Sequence, residues 1–372
     1  MGRSIRPGAT GVGRSAANLL DALADHFPPG SITAFVTRDA PAIDARVRAA
    51  RAPLPTPSEY ARAFWEQTLV PSQCVARRLD VYHSPNFILP FALPTPAIVT
   101  VHDLTYLTAS LHRRRSHLYL SVMTHFAVHR ARAVVTVSQH VARQIRAHFP
   151  AVAARLHVIP NGVDPLFRAP RDPDRLFPDR TFQEAYGVDR PYILYVGTLE
   201  PRKNLPSLVT AFEQAVTQSG LPHLLVLAGP RGWKLNALDA VVARSPLASR
   251  IWQPGYIPEH LLPSCYAGAD LFVYPSLDEG FGLPPLEAMT MGVPVITSNT
   301  SSLPEVVGDA ALLVDPNDGQ ALAQGIIAVL TDRTIADRLR AAGPPWAARF
   351  SWASTARQYA DVYAQVAAGG RA

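Results

Sequence analysis

Arg202 and Lys203 stand side by side, shortly after the apolar run Tyr192–Val196 and Gly197 and directly ahead of a helical pattern starting at Leu205. Two cations beside a helix N-terminus, where unpaired N–H groups already favour negative charge, suit a diphosphate. Asn204 is expected to cap that helix, with Pro206 in its first turn. A second apolar run, Asp270–Tyr274, leads into Ser276, Asp278, Glu279, Gly280, Phe281 and Gly282, and then a helix beginning at Leu283. Its glycines let backbone N–H groups approach a ligand without side chains in the way. Glu279 in this loop and Glu287 on the helix can accept hydrogen bonds from sugar hydroxyls. Taken alone, Glu287 reads as a solvated helix residue.

Other candidates are less specific. The run Val99–Val101 ends in His102 and Asp103, an acid, base or hydroxyl-orienting pair, or else a His–Asp hydrogen bond closing a strand. Gly11 and Gly13 open the first helical pattern, where an anion could approach; a plain turn before a helix is the other reading. His125 and His129 have the i, i+4 spacing of zinc ligands but no intervening Glu and no third ligand in sight, so no metal site is expected. Ser302 and Glu305 match a capping box, which assigns Glu305 to backbone donors.

These residues need strand ends and helix starts to hold them, and the chain supplies both. Apolar runs at Ile32–Thr37, Val81–Ser84, Ala97–Val101, Ala133–Val137 and Leu156–Ile159 alternate with helical patterns at Arg14–His26, Ser116–Arg130 and Gln139–His148. The second half repeats the theme with Tyr192–Val196, Leu224–Ala228, Asp270–Tyr274, Val293–Thr297 and Ala311–Val314. Between and after these lie helical patterns at Leu205–Gln218, Glu259–Ala267, Leu283–Met291, Gly319–Leu330 and Ile335–Ala342. Buried runs separated by helices imply parallel sheets covered on both faces. Two such series give two Rossmann-like doubly wound domains, 1–165 and 166–350, joined through the Pro-, Asp- and Arg-rich stretch Pro160–Asp189. Pro344 and Pro345 are expected to break the chain before a final helix within 351–372. Ligands of open α/β sheets lie beyond the carboxyl ends of strands, where the residues above fall.

At 372 residues, with 48% hydrophobic and 17% charged, the chain can build two cores and is not disordered. No stretch reaches the ~18 apolar residues of a spanning helix. The first residues lack the apolar core of a secretory signal, and two cysteines make no disulfide framework, which fits a reducing cytoplasm. Residues 1–165 hold 18 Arg, no Lys and 9 Asp and Glu, whereas the rest holds 17 Lys and Arg against 20 Asp and Glu. A basic first half suggests an anionic partner, such as a phosphorylated substrate or a lipid surface, or else reflects a coding preference for Arg. Nucleic acid is not expected, because no zinc-finger or aromatic-basic signature accompanies the charge.

Together the motifs resemble the retaining glycosyltransferases of family 4. The resemblance rests on Glu279 and Glu287 with the intervening Gly280, Phe281 and Gly282; on Glu200 through Asn204; on Ile159 through Asp164; on Val101 through Asp103; and on Gly292–Val295 and Pro304–Gly308. It implies a GT-B fold, two domains facing across a cleft that holds a nucleotide-sugar, with the terminal helix crossing back onto the first domain. It implies that Arg202 and Lys203 bind the donor diphosphate, Glu287 the ribose and Glu279 the transferred sugar. Gly197 and the backbone of Gly280, Phe281, Gly282 and Leu283 would line the pocket, and Tyr256 and Ile257 would contact the base. His102, with Asp103 beside it, would sit near the reacting centre, and Gly11 and Gly13 near the phosphates. It further implies a UDP- or GDP-linked hexose, such as mannose, as donor, a glycan or lipid-linked acceptor, and no metal or other cofactor. Family members begin with an apolar strand ahead of the glycines, for which this chain offers only Arg3–Ile5; either that run forms a stub or an upstream segment supplies the strand, and the second is expected. Arg113–Arg115 are expected to meet an anionic membrane or a phosphorylated lipid. Alternatives are another GT-B enzyme, such as an epimerase or phosphorylase, a non-catalytic nucleotide-sugar binder, or, more remotely, a nicotinamide oxidoreductase.

Overall fold

The computed structural model describes residues 11–38, 40–53, 59–105, 114–168 and 180–369, without the side chains of 59–60, 62–63, 114–119 and 168. In chain order the first unit holds α1 (Gly11–His26), β1 (Thr33–Val36), β2 (Arg48–Arg51), α2 (Glu59–Ala76), β3 (Tyr82–Ser84), β4 (Ala97–Val101), α3 (Arg114–Arg130), β5 (Ala133–Thr136), α4 (Gln139–His148) and β6 (Leu156–Val158). The second holds α5 (Thr181–Tyr186), β7 (Tyr192–Val196), α6 (Leu205–Ser219), β8 (Leu224–Ala228), α7 (Asn236–Arg244), β9 (Ile251–Gly255), α8 (Leu262–Ala267), β10 (Leu271–Tyr274), α9 (Leu283–Thr290), β11 (Val295–Ser298), α10 (Leu303–Val307), β12 (Leu312–Val314), α11 (Gly319–Thr331) and α12 (Arg333–Ala347). The last helix, α13 (Trp352–Gly369), belongs to the first unit, so the units comprise 1–162 with 350–372, and 163–349.

All strand pairings among the described residues are parallel. The second unit has one sheet in the order β12-β11-β10-β7-β8-β9. Its central strands are buried throughout, Ile193, Leu194, Val226, Leu271, Phe272 and Val295 among them, which is why they read as apolar runs rather than alternating ones. The chain leaves the middle of this sheet in both directions: β7, β8 and β9 go one way, β10, β11 and β12 the other. The carboxyl ends of the adjacent β7 and β10 therefore form the topological switch point, where open α/β sheets leave a crevice.

In the first unit the described strands form two sheets, β3-β4-β5-β6 and the pair β1-β2. Among the described residues, β1 and β3 each pair on one side only. A cavity of about 470 Å³ is lined by both strands, by Leu20, Leu23 and Phe27, and by Tyr363 and Ala364 of α13. The terminal helix is fixed by apolar and polar contacts. Trp352, Ala356, Tyr359 and Val362 pack with Leu19 and Leu23 of α1 and with Ile98 and Val135 of the sheet. The Tyr359 hydroxyl bonds Thr100, which bonds His83 Nε2, while His83 Nδ1 bonds Tyr363, at 2.7–2.8 Å each. Burial pushes His83 down to about 3, so this link is uncharged at neutral pH. Gly162 has a packing reason: a Cβ there would lie 2.2 Å from the Trp352 backbone nitrogen.

One local expectation is corrected, and two elements form where none was expected. Pro344 and Pro345 lie inside α12, whose backbone continues through them to Ala347; their missing donors fall in the last turn, where Ala348 N–H still bonds the Pro344 carbonyl. A helix, α2, forms across Pro71, and β2 forms from an Arg-Ala-Ala-Arg run with only one buried residue, an edge strand without an apolar signature. Arg3–Ile5 and Arg113 lie outside the described residues, as do the side chains of Arg114 and Arg115. No described helix is long and apolar enough to cross a membrane.

Candidate functional site

The polypeptide leaving β7 turns sharply at Gly197, which has φ +154° and where a Cβ would lie 2.7 Å from the Tyr195 hydroxyl. It then forms one 3₁₀ turn, Pro201–Lys203, and enters α6 after Asn204. The polypeptide leaving β10 runs through Ser276–Gly282 into α9. Because β7 and β10 are neighbours, the two loops meet: Leu277 N–H and the Ser276 hydroxyl both donate to the Arg202 carbonyl, at 2.9 and 3.1 Å.

Four charged side chains occupy the junction. Lys203 Nζ donates to Glu279 Oε1 at 2.5 Å and to the Tyr274 hydroxyl at 2.7 Å. Arg202 Nη1 lies 2.7 Å from Glu279 Oε2, and its Nη2 donates to Glu200 Oε1 at 2.7 Å. The Ser276 hydroxyl adds a 2.6 Å bond to Glu279 Oε1. Lys203, Glu200 and Glu279 are buried. Burial alone would push the Glu279 carboxyl up, but Arg202 and Lys203 outweigh it and hold the group at about 2. Burial presses the Lys203 ammonium below its ordinary value against the opposing pull of Glu279. The Arg202 guanidinium, burial notwithstanding, is raised by Glu279 and Glu200. Beneath the ammonium, the rings of Tyr195 and Tyr274 stack 5.7 Å apart, and both hydroxyls are held well above their usual range by burial first and Glu279 second.

The sequence-predicted residues Gly197, Arg202, Lys203 and Glu279 are thus drawn into one cluster. The two cations are not simply exposed to a ligand: each is matched by a carboxylate, so the four groups carry no net formal charge. Glu200 and Ser276, named in sequence as members of their motifs without a role, and Tyr274, named as a strand end, belong to the cluster as well; nothing in a one-dimensional pattern distinguishes a tyrosine under a lysine from a core tyrosine. Glu287 is buried rather than solvated, and accepts a 2.8 Å bond from the Tyr266 hydroxyl. Phe281 is buried and Leu283 begins α9, with Gly280 beside them in the loop. Gly282 has φ +120°, and a Cβ there would come within 2.8 Å of Leu303.

Two expected helix caps are corrected. Asn204 is at the N-cap position of α6 but in left-handed backbone with φ +57°; its amide donates to the Pro316 carbonyl, and its oxygen accepts from Ser207. Ser302 makes no capping bond; its hydroxyl instead donates to the carbonyls of Glu279 and Phe281, pinning the Glu279–Gly282 loop from α10's start. Ser302 is therefore a loop anchor that sequence reasoning assigned to a cap.

In the first unit, His102 follows β4, and its Nε2–H donates to the Pro85 carbonyl at 2.9 Å. Burial lowers its basicity, so the neutral ring carries its proton on Nε2 and presents Nδ1 as an acceptor. Asp103 turns to Thr105, accepting from its N–H and hydroxyl, rather than closing a bond with His102. Gly11 and the buried Gly13 stand in the first turn of α1. In the second unit Tyr256 is half exposed and Ile257 buried, directly after β9. His129 Nδ1 bonds the His125 carbonyl, one turn back on α3.

Residues 9–166 match the family model for glycosyltransferase family 4, and residues 178–346 that for glycosyl transferases group 1. The O-antigen chain mannosyltransferase B of Escherichia coli is 37% identical over 76% of this chain and 74% of its own length. A serotype-specific mannosyltransferase WbdA of E. coli is 29% identical over 71% of this chain, which spans about a third (33%) of that longer protein. Among solved structures, Anabaena Alr3699/HepE in complex with UDP-glucose superposes with TM-score 0.75 at 19% identity, covering 97% of this chain and 98% of that one. The likeness in shape establishes the two-domain α/β fold of the GT-B enzymes.

The charge cluster sets an acid limit on the second unit. A carboxyl lowered to about 2 from an ordinary 4.5 contributes stability that is complete above 4.5 and lost as pH falls toward 2. That contribution is on the order of 3 kcal/mol. Glu279→Gln should lower the melting temperature at pH 7 and flatten its decline between pH 4.5 and 2, as followed by circular dichroism; an unchanged acid profile would show that Glu279 is not ionised in the fold.

Proposed function

The chain belongs to glycosyltransferase family 4, and on that footing we propose that it transfers a hexose, mannose in particular, from a UDP- or GDP-linked donor to a glycan or lipid-linked acceptor in cell-surface polysaccharide synthesis. The mannosyl assignment is supported by the names of its curated relatives, and the nucleotide-sugar by the UDP-glucose held by a structural neighbour. The observation that carries the donor site is the convergence of Arg202, Lys203 and Glu279 at the switch point of the second sheet.

In this reading Arg202 and Lys203 take the donor diphosphate, exchanging part of their pairing with Glu279 for phosphate oxygens. Breaking the bond from the anomeric carbon to phosphate leaves a nucleoside diphosphate with an extra negative charge and an oxocarbenium-like sugar. Cations held in place before the reaction stabilise the leaving group without reorganising, which is the larger part of such catalysis. They also do the work that a divalent ion would otherwise do, so transfer is proposed to be metal-independent. Released from the cations, Glu279 turns its carboxylate to the hydroxyls of the transferred sugar. Glu287, oriented by Tyr266, accepts the ribose hydroxyls. Gly197 and the backbone of Gly280, Phe281, Gly282 and Leu283 approach the sugar and its phosphate, and Tyr256 and Ile257 the base. His102, neutral with Nδ1 as acceptor, orients a sugar hydroxyl, with Asp103 setting the adjoining loop through Thr105. Gly11 and Gly13 offer N–H groups at the start of α1 to phosphate. Configuration is retained by attack on the face the diphosphate leaves, and the departing phosphate oxygen takes the acceptor's proton.

Lys203→Ala and Glu287→Ala should each reduce transfer by about a hundredfold or more while the circular dichroism spectrum stays native. A thermal-shift series with UDP-, GDP-, ADP- and TDP-sugars should single out UDP or GDP, since a ligand binding only the folded state raises its stability by mass action. Near-normal turnover in either variant, or no stabilisation by any donor, would overturn the reading. Activity unaltered by a chelator is expected; its loss, restored by added metal, would contradict the proposed role of the cations.

A further inference from the structure

Each cation of the buried cluster has one partner that it shares and at least one of its own. Glu279 is the shared one, with Oε1 on Lys203 Nζ and Oε2 on Arg202 Nη1. Arg202 also donates to Glu200 Oε1 at 2.7 Å and to the Asp278 carbonyl at 2.5 Å. For Lys203 the described residues supply one further partner, the Tyr274 hydroxyl. Nζ is 2.7 Å from that hydroxyl and 5.0 Å from the ring centre, so the hydroxyl is the nearer contact. The ring itself is held. It stands near the end of β10, stacked on Tyr195 of β7 at 5.7 Å and on Phe272 at 6.0 Å, and it is buried.

A lysine ammonium carries three N–H groups on a flexible four-carbon stem, so its aim depends on what holds it. In the donor reading, on which this inference rests, the diphosphate displaces Glu279. Arg202 then still has Glu200 and the Asp278 carbonyl, whereas Lys203 has Tyr274 alone. We propose that Tyr274 is the positioning residue of Lys203, its hydroxyl keeping Nζ aimed at the diphosphate after Glu279 has turned away. The neutrality of this support has a consequence. Glu200 goes on offsetting Arg202, so with Glu279 gone Lys203 supplies the one uncompensated positive charge of the cluster. A carboxylate in the place of Tyr274 would cancel that charge. A phenyl ring there would leave the buried ammonium one acceptor short.

The chain has two lysines, Lys203 and Lys234, so lysine labelled with carbon-13 at Cε reads the site directly by NMR, with Lys234→Arg assigning the second signal. The charged and titratable groups around Nζ are Glu279, Glu200 and Arg202, with Tyr274 and Tyr195 below. Burial lowers the ammonium, whereas Arg202 and both tyrosines are raised, so among these four Lys203 loses its proton first as pH rises. Tyr274→Phe keeps the ring and removes an acceptor that favours the charged form. It should lower the Lys203 titration midpoint by about one pH unit, and weaken UDP or GDP, whichever the wild type binds, about tenfold. Tyr195→Phe is the control: its hydroxyl is turned to the Thr198 carbonyl, and it should move neither quantity. An unchanged midpoint or unchanged affinity in Tyr274→Phe, or equal changes in Tyr195→Phe, would overturn the inference and leave the donor site standing. A wild type that binds neither UDP nor GDP would instead remove the donor site, and this role of Tyr274 with it.

Discussion

The site of the second unit depends on the buried contact of Glu279 with Lys203 and Arg202. Charges taken out of water cost several kcal/mol each unless partnered and hydrogen-bonded, and removing one partner leaves the others uncompensated. Lys203 is satisfied by Glu279 and Tyr274; Glu279 in addition by Arg202 and Ser276; Arg202 by Glu200 as well. Those partners come from the ends of two strands far apart in sequence. The cluster forms only if β7 and β10 are neighbours and both loops leave the sheet in the same direction, as the parallel pairing requires. Ser302 then secures the far side of the Glu279 loop, and the positive φ of Gly282 sets the entry into α9.

This arrangement changes how the two cations are understood. A sequence reader sees Arg-Lys before a helix and infers a positive pocket. The folded protein instead holds a neutral cluster whose cations are fixed in place by their own carboxylates. Such a device keeps two like charges adjacent in a nearly dry site and presents them to an incoming diphosphate already oriented, the ligand taking over from Glu279 rather than meeting bare charge.

Much of this was legible in sequence because buried parallel strands announce themselves as unbroken apolar runs, and five of six strands in the second unit fall close to the expected places. What escaped notice has physical reasons. β2 has one buried residue; α2 contains a proline; the path of α12 through Pro344 and Pro345 depends on where in the last turn their missing donors fall. At the site, charged and glycine positions could be named, but their supports could not. Ser302 looks like a cap by spacing and becomes an anchor only because the Glu279 and Phe281 carbonyls come within its reach. Glu287 looks solvated until α8 brings Tyr266 over it. Gly162 was part of a recognised motif, and its steric reason lies in Trp352, nearly two hundred positions later.

The most direct measurement is a crystal structure with a nucleoside diphosphate bound. Phosphate oxygens within about 3 Å of Arg202 Nη and Lys203 Nζ, with Glu279 moved off at least one of them, are expected. A diphosphate seated elsewhere, with the Lys203–Glu279–Arg202 contacts intact, would contradict the account.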